Sequence, residues 1–347
     1  MKKGNERAFV FWLFWVFCLT ALGVGGAAWA DEYEEWLVES RVDRFYDLPQ
    51  TAREVGMAGA IGVTAADISS VYNNPAGLGF VKGPEVGLNY SHDELSGEDV
   101  DFIDLPGPNT FPEKAIGGPF RRKVNGRKDQ GGLQLVLPCY SKGVFGFGGW
   151  YDDTDIDNNR DGEAERWRVN GGYGYAINDC FSIGYSLTYF NDEVDDDFSD
   201  YELDNGFRHT FGLQMRPCGS PACVFGFSGY FAHGQPEVDT ATIGSDEGDL
   251  DSWGLELGYS WQVLERTLLA ASVDYNNHTF DGPTYDPIQD EFFDNNEDID
   301  GWGFRVGVEQ NYFNCMLARL GYRYQMWDYE NRIRGTFFRD DRDFDTS

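Results

Sequence analysis

Between Phe181 and Tyr189 the side chains alternate without exception. Phe181, Ile183, Tyr185, Leu187 and Tyr189 are apolar or aromatic, and Ser182, Gly184, Ser186 and Thr188 between them are small or polar. A period of two is a strand with one oily face and one small, polar face. The alternation returns at Leu133, Leu135 and Leu137, at Phe145 and Phe147, and at Trp167, Val169, Tyr173 and Tyr175. It returns again at Phe211, Leu213 and Met215, at Phe225 and Phe227, and at Trp253, Leu255, Leu257 and Tyr259. Leu269, Ala271, Val273 and Tyr275, then Phe304, Val306 and Val308, then Leu320, Tyr322 and Tyr324 complete the series. A one-residue slip exchanges the two faces, so this regularity marks one oily surface shared by many strands.

The pattern predicts eleven strands, near 84–92, 131–139, 143–153, 165–177, 181–191, 206–216, 223–233, 252–263, 266–277, 301–312 and 315–327. Each has about the 9–11 residues that a tilted strand needs to cross a hydrocarbon layer. Tight connections at Pro138 to Gly143, Ile177 to Cys180, Pro217 to Ala222, Gln262 to Arg266 and Asn311 to Asn314 alternate with long acidic ones. The long ones fall at about 153–165, 191–206, 234–250 and 278–299. An oily outside, a polar inside, short turns on one rim and long loops on the other predict an all-β fold, an antiparallel transmembrane β-barrel. Aromatics gather where strands meet the long loops: Trp150, Tyr151, Trp167, Tyr189, Phe190, Tyr230, Phe231, Trp253, Trp302, Trp327 and Tyr329. Such rings suit an interfacial girdle at headgroup height.

Composition adds to this picture. Aromatics are 16% and Gly 43 of 347 residues, a mixture that suits strands with a single oily face better than a secreted β-sandwich. The formal charge of −32 argues against nucleic acid, which needs a basic surface. Met1, Lys2, Lys3 and Arg7 form a basic head before an apolar run from Phe9 to Leu22, and Ala28-Trp29-Ala30 is a small-x-small cleavage site. The chain therefore divides into a signal peptide (1–30), an N-terminal periplasmic extension (31–52), a plug segment (53–83) and the barrel (84–347).

Even positions along the strands face the lumen and carry candidate chemistry: Arg168, Arg208, Gln214, Glu256 and Asp274, joined on the odd parity of the last strands by Arg305, Glu309, Arg319 and Arg323. One role is an internal salt-bridge lattice, since buried charges need partners. The other is ligand binding by Arg168, Arg208, Arg305, Arg319 and Arg323, because a guanidinium forks a carboxylate bidentately.

The plug segment carries the most specific motif. Small residues dominate Gly56-Met57-Ala58-Gly59-Ala60, and Ala66 to Tyr72 suits a short helix that Asn74-Pro75 ends. With Asn74-Pro75-Ala76-Gly77-Leu78 following, residues 53–90 resemble the N-terminus of the FadL-like long-chain fatty-acid transporter superfamily of outer-membrane proteins, and equally its PorV-type relatives. The resemblance implies a hatch ahead of a fourteen-stranded barrel, with Asn74, Pro75, Ala76 and Gly77 as its signature. It also implies uptake of hydrophobic compounds, captured outside and released laterally through the wall. The implied partners are outer-membrane lipid and a hydrophobic ligand such as a long-chain fatty acid, at the bacterial outer membrane. The PorV-type alternative is a scaffold barrel that binds proteins during secretion or surface attachment. Eleven strands against fourteen, and an outward-running last strand, suggest a C-terminally truncated barrel with Asp340 to Ser347 opening another loop.

Three smaller features complete the sequence. Asp157, Asn159, Asp161 and Glu165 match the opening of a calcium loop, but Arg168 stands at the closing position, so a plain acidic loop competes with calcium; no other cofactor is implied. Cys139, Cys180, Cys218, Cys223 and Cys315 lie at short connections, with Cys180–Cys218 and Cys218–Cys223 as competing disulfides. His92, His209, His233 and His278 sit near strand ends with no accompanying Ser motif, which points away from an enzyme.

Overall fold

A computed structural model describes residues 51–101, 120–139, 143–157, 161–195, 200–217, 220–240, 244–286, 291–312, 316–333 and 339–346. The expected signal peptide (1–30), most of the expected N-terminal extension (31–52) and the residues between these ranges lie outside the described residues. The alternating segments form strands β1 (Glu85–Asp101), β2 (Phe120–Pro138), β3 (Gly143–Asp157), β4 (Asp161–Ala176), β5 (Phe181–Asp195), β6 (Asp200–Met215) and β7 (Cys223–Gly234). After a small hairpin of β8 (Glu237–Thr240) and β9 (Gly244–Glu247) come β10 (Asp249–Leu264), β11 (Thr267–Asp286), β12 (Glu291–Tyr312), β13 (Met316–Ile333) and β14 (Arg339–Thr346). Every neighbour in the sheet order β1 to β7, then β10 to β14, is antiparallel, and no described pairing joins β1 to β14.

The register keeps the faces apart. Phe181, Ile183, Tyr185, Leu187 and Tyr189 pair with Met215, Leu213, Phe211, His209 and Phe207, all on the outer face. Ser182, Ser186 and Thr188 are buried on the inner face. Phe147, Val169, Phe211, Leu257 and Phe304 stay about half exposed, so the sheet presents an oily band outward.

Two expectations change. The acidic segments are not long loops but strand extensions: Asp157 pairs with Asp161, Asp195 with Asp200 and Asp286 with Glu291, and 340–346 pairs with β13 as a twelfth strand of the order. A backbone ladder needs no oily face, so the strands continue where the alternation stops. One result is a row of carboxylates in register on the outer face. Asp153, Glu165, Glu193, Glu202, Glu237 and Glu247 are successive cross-strand partners. The expected girdle also splits. Tyr151, Trp167, Phe231, Trp253 and Trp302 face outward, whereas Trp150, Phe190 and Trp327 are buried inside and Tyr230 also points inward. Consecutive residues such as Trp150 and Tyr151 cannot share a face.

Inside sits the plug: helix α1 (Ala52–Gly56), then single 3-10 turns at Gly62–Thr64 and Ile68–Val71 and a two-turn 3-10 segment at Pro75–Phe80. The helix expected over Ala66 to Tyr72 is one such turn, with Asp67 capping Ser69 N–H at 3.0 Å. The plug meets the wall in order round the sheet: Ile68 against β1, Val71 against β2 and β3, Pro75 against β4 and β5, Val63 against β7 and β10, and Met57 against β12 and β13. Eleven strands laid flat would span about 50 Å, so contact with one short folded segment requires the sheet to curl round it.

Close approach depends on missing side chains. A Cβ on Gly184 would overlap the Pro75 backbone, and one on Gly212 would overlap the Asn74 amide. Outward-facing Gly149 has only the Arg168 carbonyl at 3.9 Å near such a position. Gly184→Val is expected to lower stability by about 1–3 kcal/mol, and Gly149→Val to stay within about 0.5 kcal/mol. Chemical unfolding in detergent checks both, and equal losses would mean the plug does not seat against β5.

Candidate functional site

The hatch motif is a buried hydrogen-bond junction. Asn74 caps the Pro75–Phe80 turn by accepting from Ala76 N–H at 3.2 Å. Its Nδ2 donates to the Val63 carbonyl at 2.7 Å and to the Leu213 carbonyl on β6 at 3.3 Å. Ser182 Oγ on β5 donates to the Ala76 carbonyl at 2.6 Å, and Gln214 Nε2 on β6 to the Ala65 carbonyl at 2.8 Å. Buried carbonyls in a non-regular segment need such donors, which explains polar residues on the inner parity of β5 and β6. Gly77 lies against the Ala65 carbonyl and Ser70, where a side chain has no room.

Above and beside the plug runs a polar belt. Arg305 Nη1 bonds Glu256 Oε1 at 2.9 Å and its Nη2 reaches Asp274 Oδ1 at 3.0 Å. Asn276 Nδ2 donates to Asp274 Oδ2 at 2.9 Å and Tyr230 Oη to Asn276 Oδ1 at 2.9 Å. Ser252 Oγ bonds His278 Nδ1 at 2.8 Å, and the Arg208 guanidinium stacks on the Tyr230 ring at 3.7 Å. Of the five candidate arginines, Arg208 and Arg305 line one cavity of about 60 Å³, with Glu54, Asn73, Glu256 and Asp274. Arg168 is buried on β4 away from that cavity, Arg323 is half-buried, and Arg319 Nε is bound to Glu309 Oε2 at 2.9 Å.

Beyond the belt lies an apolar cluster of Phe190, Leu203, Ala232 and Leu250, with Tyr230 and Phe280 against it. It coincides with an interruption of the wall. The β6–β7 ladder ends at Phe207–His233, and β6 resumes pairing with β8 only at Glu202–Glu237. The β5–β6 register also shifts between Phe190 and Asp192. Bulges of this kind break pairing locally and re-aim side chains, here Leu203 into the interior against Gly234.

The remaining candidates are placed as follows. Asp157 and Asp161 close the β3–β4 hairpin, Asn159 lies outside the described residues, and Glu165 is exposed opposite Asp153. Among the described residues no group of three His, Cys, Asp or Glu is arranged to hold a metal. Cys180 carries a free thiol and its carbonyl accepts from Arg216 N–H at 2.7 Å, while Cys218 and Cys315 lie outside the described residues. Cys139 and Cys223 are also free thiols. His92 and His233 bind Asp129 and Asp251 on the outer face, and His209 meets Tyr185 there.

Sequence reasoning did not single out Glu54, although its place three residues after Thr51 is a capping-box signal. Its carboxylate accepts from Thr51 N–H at 2.7 Å and from Asn73 Nδ2. Burial pushes this carboxyl up to about 7; Asp67 adds to the rise and the Thr51 N–H opposes it.

The fold and its interior define a plugged, antiparallel β-wall with an oily outside. No protein-family profile and no curated protein sequence matches the chain. Among solved structures it is similar to a Pseudomonas aeruginosa FadL homologue, at 12% identity, 83% of this chain, 91% of that one and a TM-score of 0.44. It is also similar to the Pseudomonas putida toluene transporter TodX, at 14% identity, 76% and 83% coverage and a TM-score of 0.44. The Ralstonia pickettii toluene transporter TbuX gives 14%, 84% and 88%, and 0.43.

A carboxyl whose pKa is higher in the seated plug stabilises seating fully below its ordinary 4.5. That stability is lost as pH rises through about 7. The Tm advantage of wild type over Glu54→Gln is therefore expected to shrink between about pH 4 and about pH 8. Melting in detergent across that range tests it, and a difference independent of pH would refute it.

Proposed function

We propose that the chain is a bacterial outer-membrane barrel that takes up hydrophobic or amphipathic small molecules, long-chain fatty acids among them. The observation that carries this reading is the enclosed apolar cluster of Phe190, Leu203, Ala232, Leu250 and Phe280 at the point where the β6 ladder is interrupted. The cluster adjoins the polar belt, and the bulge that turns Leu203 inward sets apolar side chains where a hydrophobe arriving from the long-hairpin side would meet the interior. The half-exposed outer band supports a membrane setting, because only a surface facing lipid keeps so many large apolar side chains without cost. The hatch motif over residues 53–90 supports the same reading.

Cargo entering at the cluster meets the polar belt next. Arg208 lies at that boundary, stacked on Tyr230, where it suits the carboxylate of an amphipath whose tail stays among Phe190 and Phe280. Onward passage needs either a route through the wall or movement of the plug. The small void beside the plug, about 60 Å³, favours a second reading, in which a filled barrel serves as a PorV-type scaffold for other proteins.

Proteoliposomes containing the full chain are expected to take up a labelled long-chain acid faster than empty liposomes. Asn74→Ala, which releases the Val63 and Leu213 carbonyls, is expected to raise the rate severalfold by loosening the plug. Uptake no faster than empty liposomes in both would replace transport with the scaffold reading.

A further inference from the structure

The inner face of β6 carries an arginine at each end. Arg208, Thr210, Gly212 and Gln214 occupy its even positions, and Arg216 continues the parity one residue past the strand. At about 3.4 Å per residue the two arginine positions stand about 27 Å apart. The plug lies between them, with Gly212 against Asn74 and Gln214 bonded to the Ala65 carbonyl. Arg208 is thus above the plug, and Arg216 is at its foot, where the short connection to β7 begins.

Arg216 differs from its interior counterparts in having no carboxylate. Arg53, Arg305 and Arg319 each bind at least one. Acidic residues outnumber basic ones 59 to 27 in this chain, so a cation without a counter-charge does not reflect a shortage of acids. Among the described residues Arg216 makes no ion pair, and its buried Nε has no hydrogen-bond partner. Its guanidinium lies over the Phe80 ring at 3.8 Å, and Nη2 is 3.5 Å from Gln214 Oε1. Burial draws the group down to about 10, and no carboxylate opposes that shift. A half-buried charge held by one ring and one long amide contact is under-satisfied.

The surroundings narrow what would satisfy it. The Arg216 backbone is fixed by its N–H bond to the Cys180 carbonyl at 2.7 Å, and stacking on Phe80 fixes the plane of the guanidinium. Phe80 is the last residue of the plug's final turn and is half-buried, while Lys82 just beyond it is exposed and adds a second positive charge. A phosphate ion would meet the charge but not the ring, and a long-chain alcohol the ring but not the charge.

We propose that Arg216 and Phe80, with Lys82 beside them, form an anion subsite at the foot of the plug that takes the carboxylate of a long-chain acid, its apolar tail lying against the Phe80 ring. The guanidinium forks the carboxylate, as it does wherever planar recognition of that group is needed. The molecule then carries an arginine for an acid on each side of the plug, Arg208 above and Arg216 below. The subsite rests on the uptake reading only for the supply of its ligand.

Photolabelling of the full chain in an uncharged detergent, with a diazirine-bearing palmitic acid, tests the subsite without any transport measurement. Cross-links are expected at residues 80–82 and 214–217, at least about tenfold stronger than those from the matching long-chain alcohol. Arg216→Gln is expected to lower this labelling about tenfold and Arg216→Lys to keep most of it. Arg127→Gln, on the outer face and bound to Asp129 and Asp155, is expected to leave it unchanged. No labelling at the foot, equal labelling by acid and alcohol, or full labelling in Arg216→Gln overturns the subsite whatever the uptake assay gives. The wild-type comparison of acid with alcohol decides the matter even where a variant fails to fold.

Discussion

Backbone pressed against backbone governs the interior of this molecule. The Pro75–Ala76 peptide lies where the side chain of residue 184 would stand, and the Val63 carbonyl where that of residue 226 would. A segment without regular structure brings unpaired carbonyls into a dry space, so the wall must supply both room and donors at matched heights. Glycine at alternate inner positions gives the room, Ser182 and Gln214 of the wall give donors, and the plug's own Asn74 amide donates outward to the Leu213 carbonyl. The polar inner face that alternation requires is thus a mould for one particular plug.

The layering of the interior follows from that mould. Where the plug ends, the inner side chains have nothing to press against and must satisfy one another, which yields the belt of Arg305, Glu256, Asp274 and Asn276. Buried charge of this kind adds little net stability, because desolvation offsets attraction. Its effect is positional: it keeps the arginines at fixed points between a dry plug below and the apolar cluster of Phe190 and Leu203 above.

The wall was legible in the sequence because its information is local. A period of two survives in nine residues such as Phe181 to Tyr189, and the tight turns announce themselves. The turn at Asn74 to Gly77 stood out for another reason, a motif that the resemblance supplied. What was hidden is long-range or silent in hydrophobicity. The acidic hairpin tips show no alternation, so their pairing at Asp195 and Asp200 left no trace in the pattern. The bulge at Leu203 reverses parity within β6, which no count of odd and even positions anticipates. Arg53 and Glu309 stand 256 residues apart, and only the curl of the sheet makes them partners. Trp150 and Trp327 read as girdle by residue type, although parity placed them inside.

The register that builds the wall also sets the outer carboxylates of Asp153, Glu165, Glu193, Glu202, Glu237 and Glu247 side by side across six strands. At a strand spacing of about 4.8 Å, like charges directly opposite each other repel. The row behaves as a charged rail whose self-energy falls as counterions gather along it. Added electrolyte therefore screens the repulsion along this edge and lets the hairpin ends lie closer together. Ionic strength becomes a lever on the spacing of these hairpin ends.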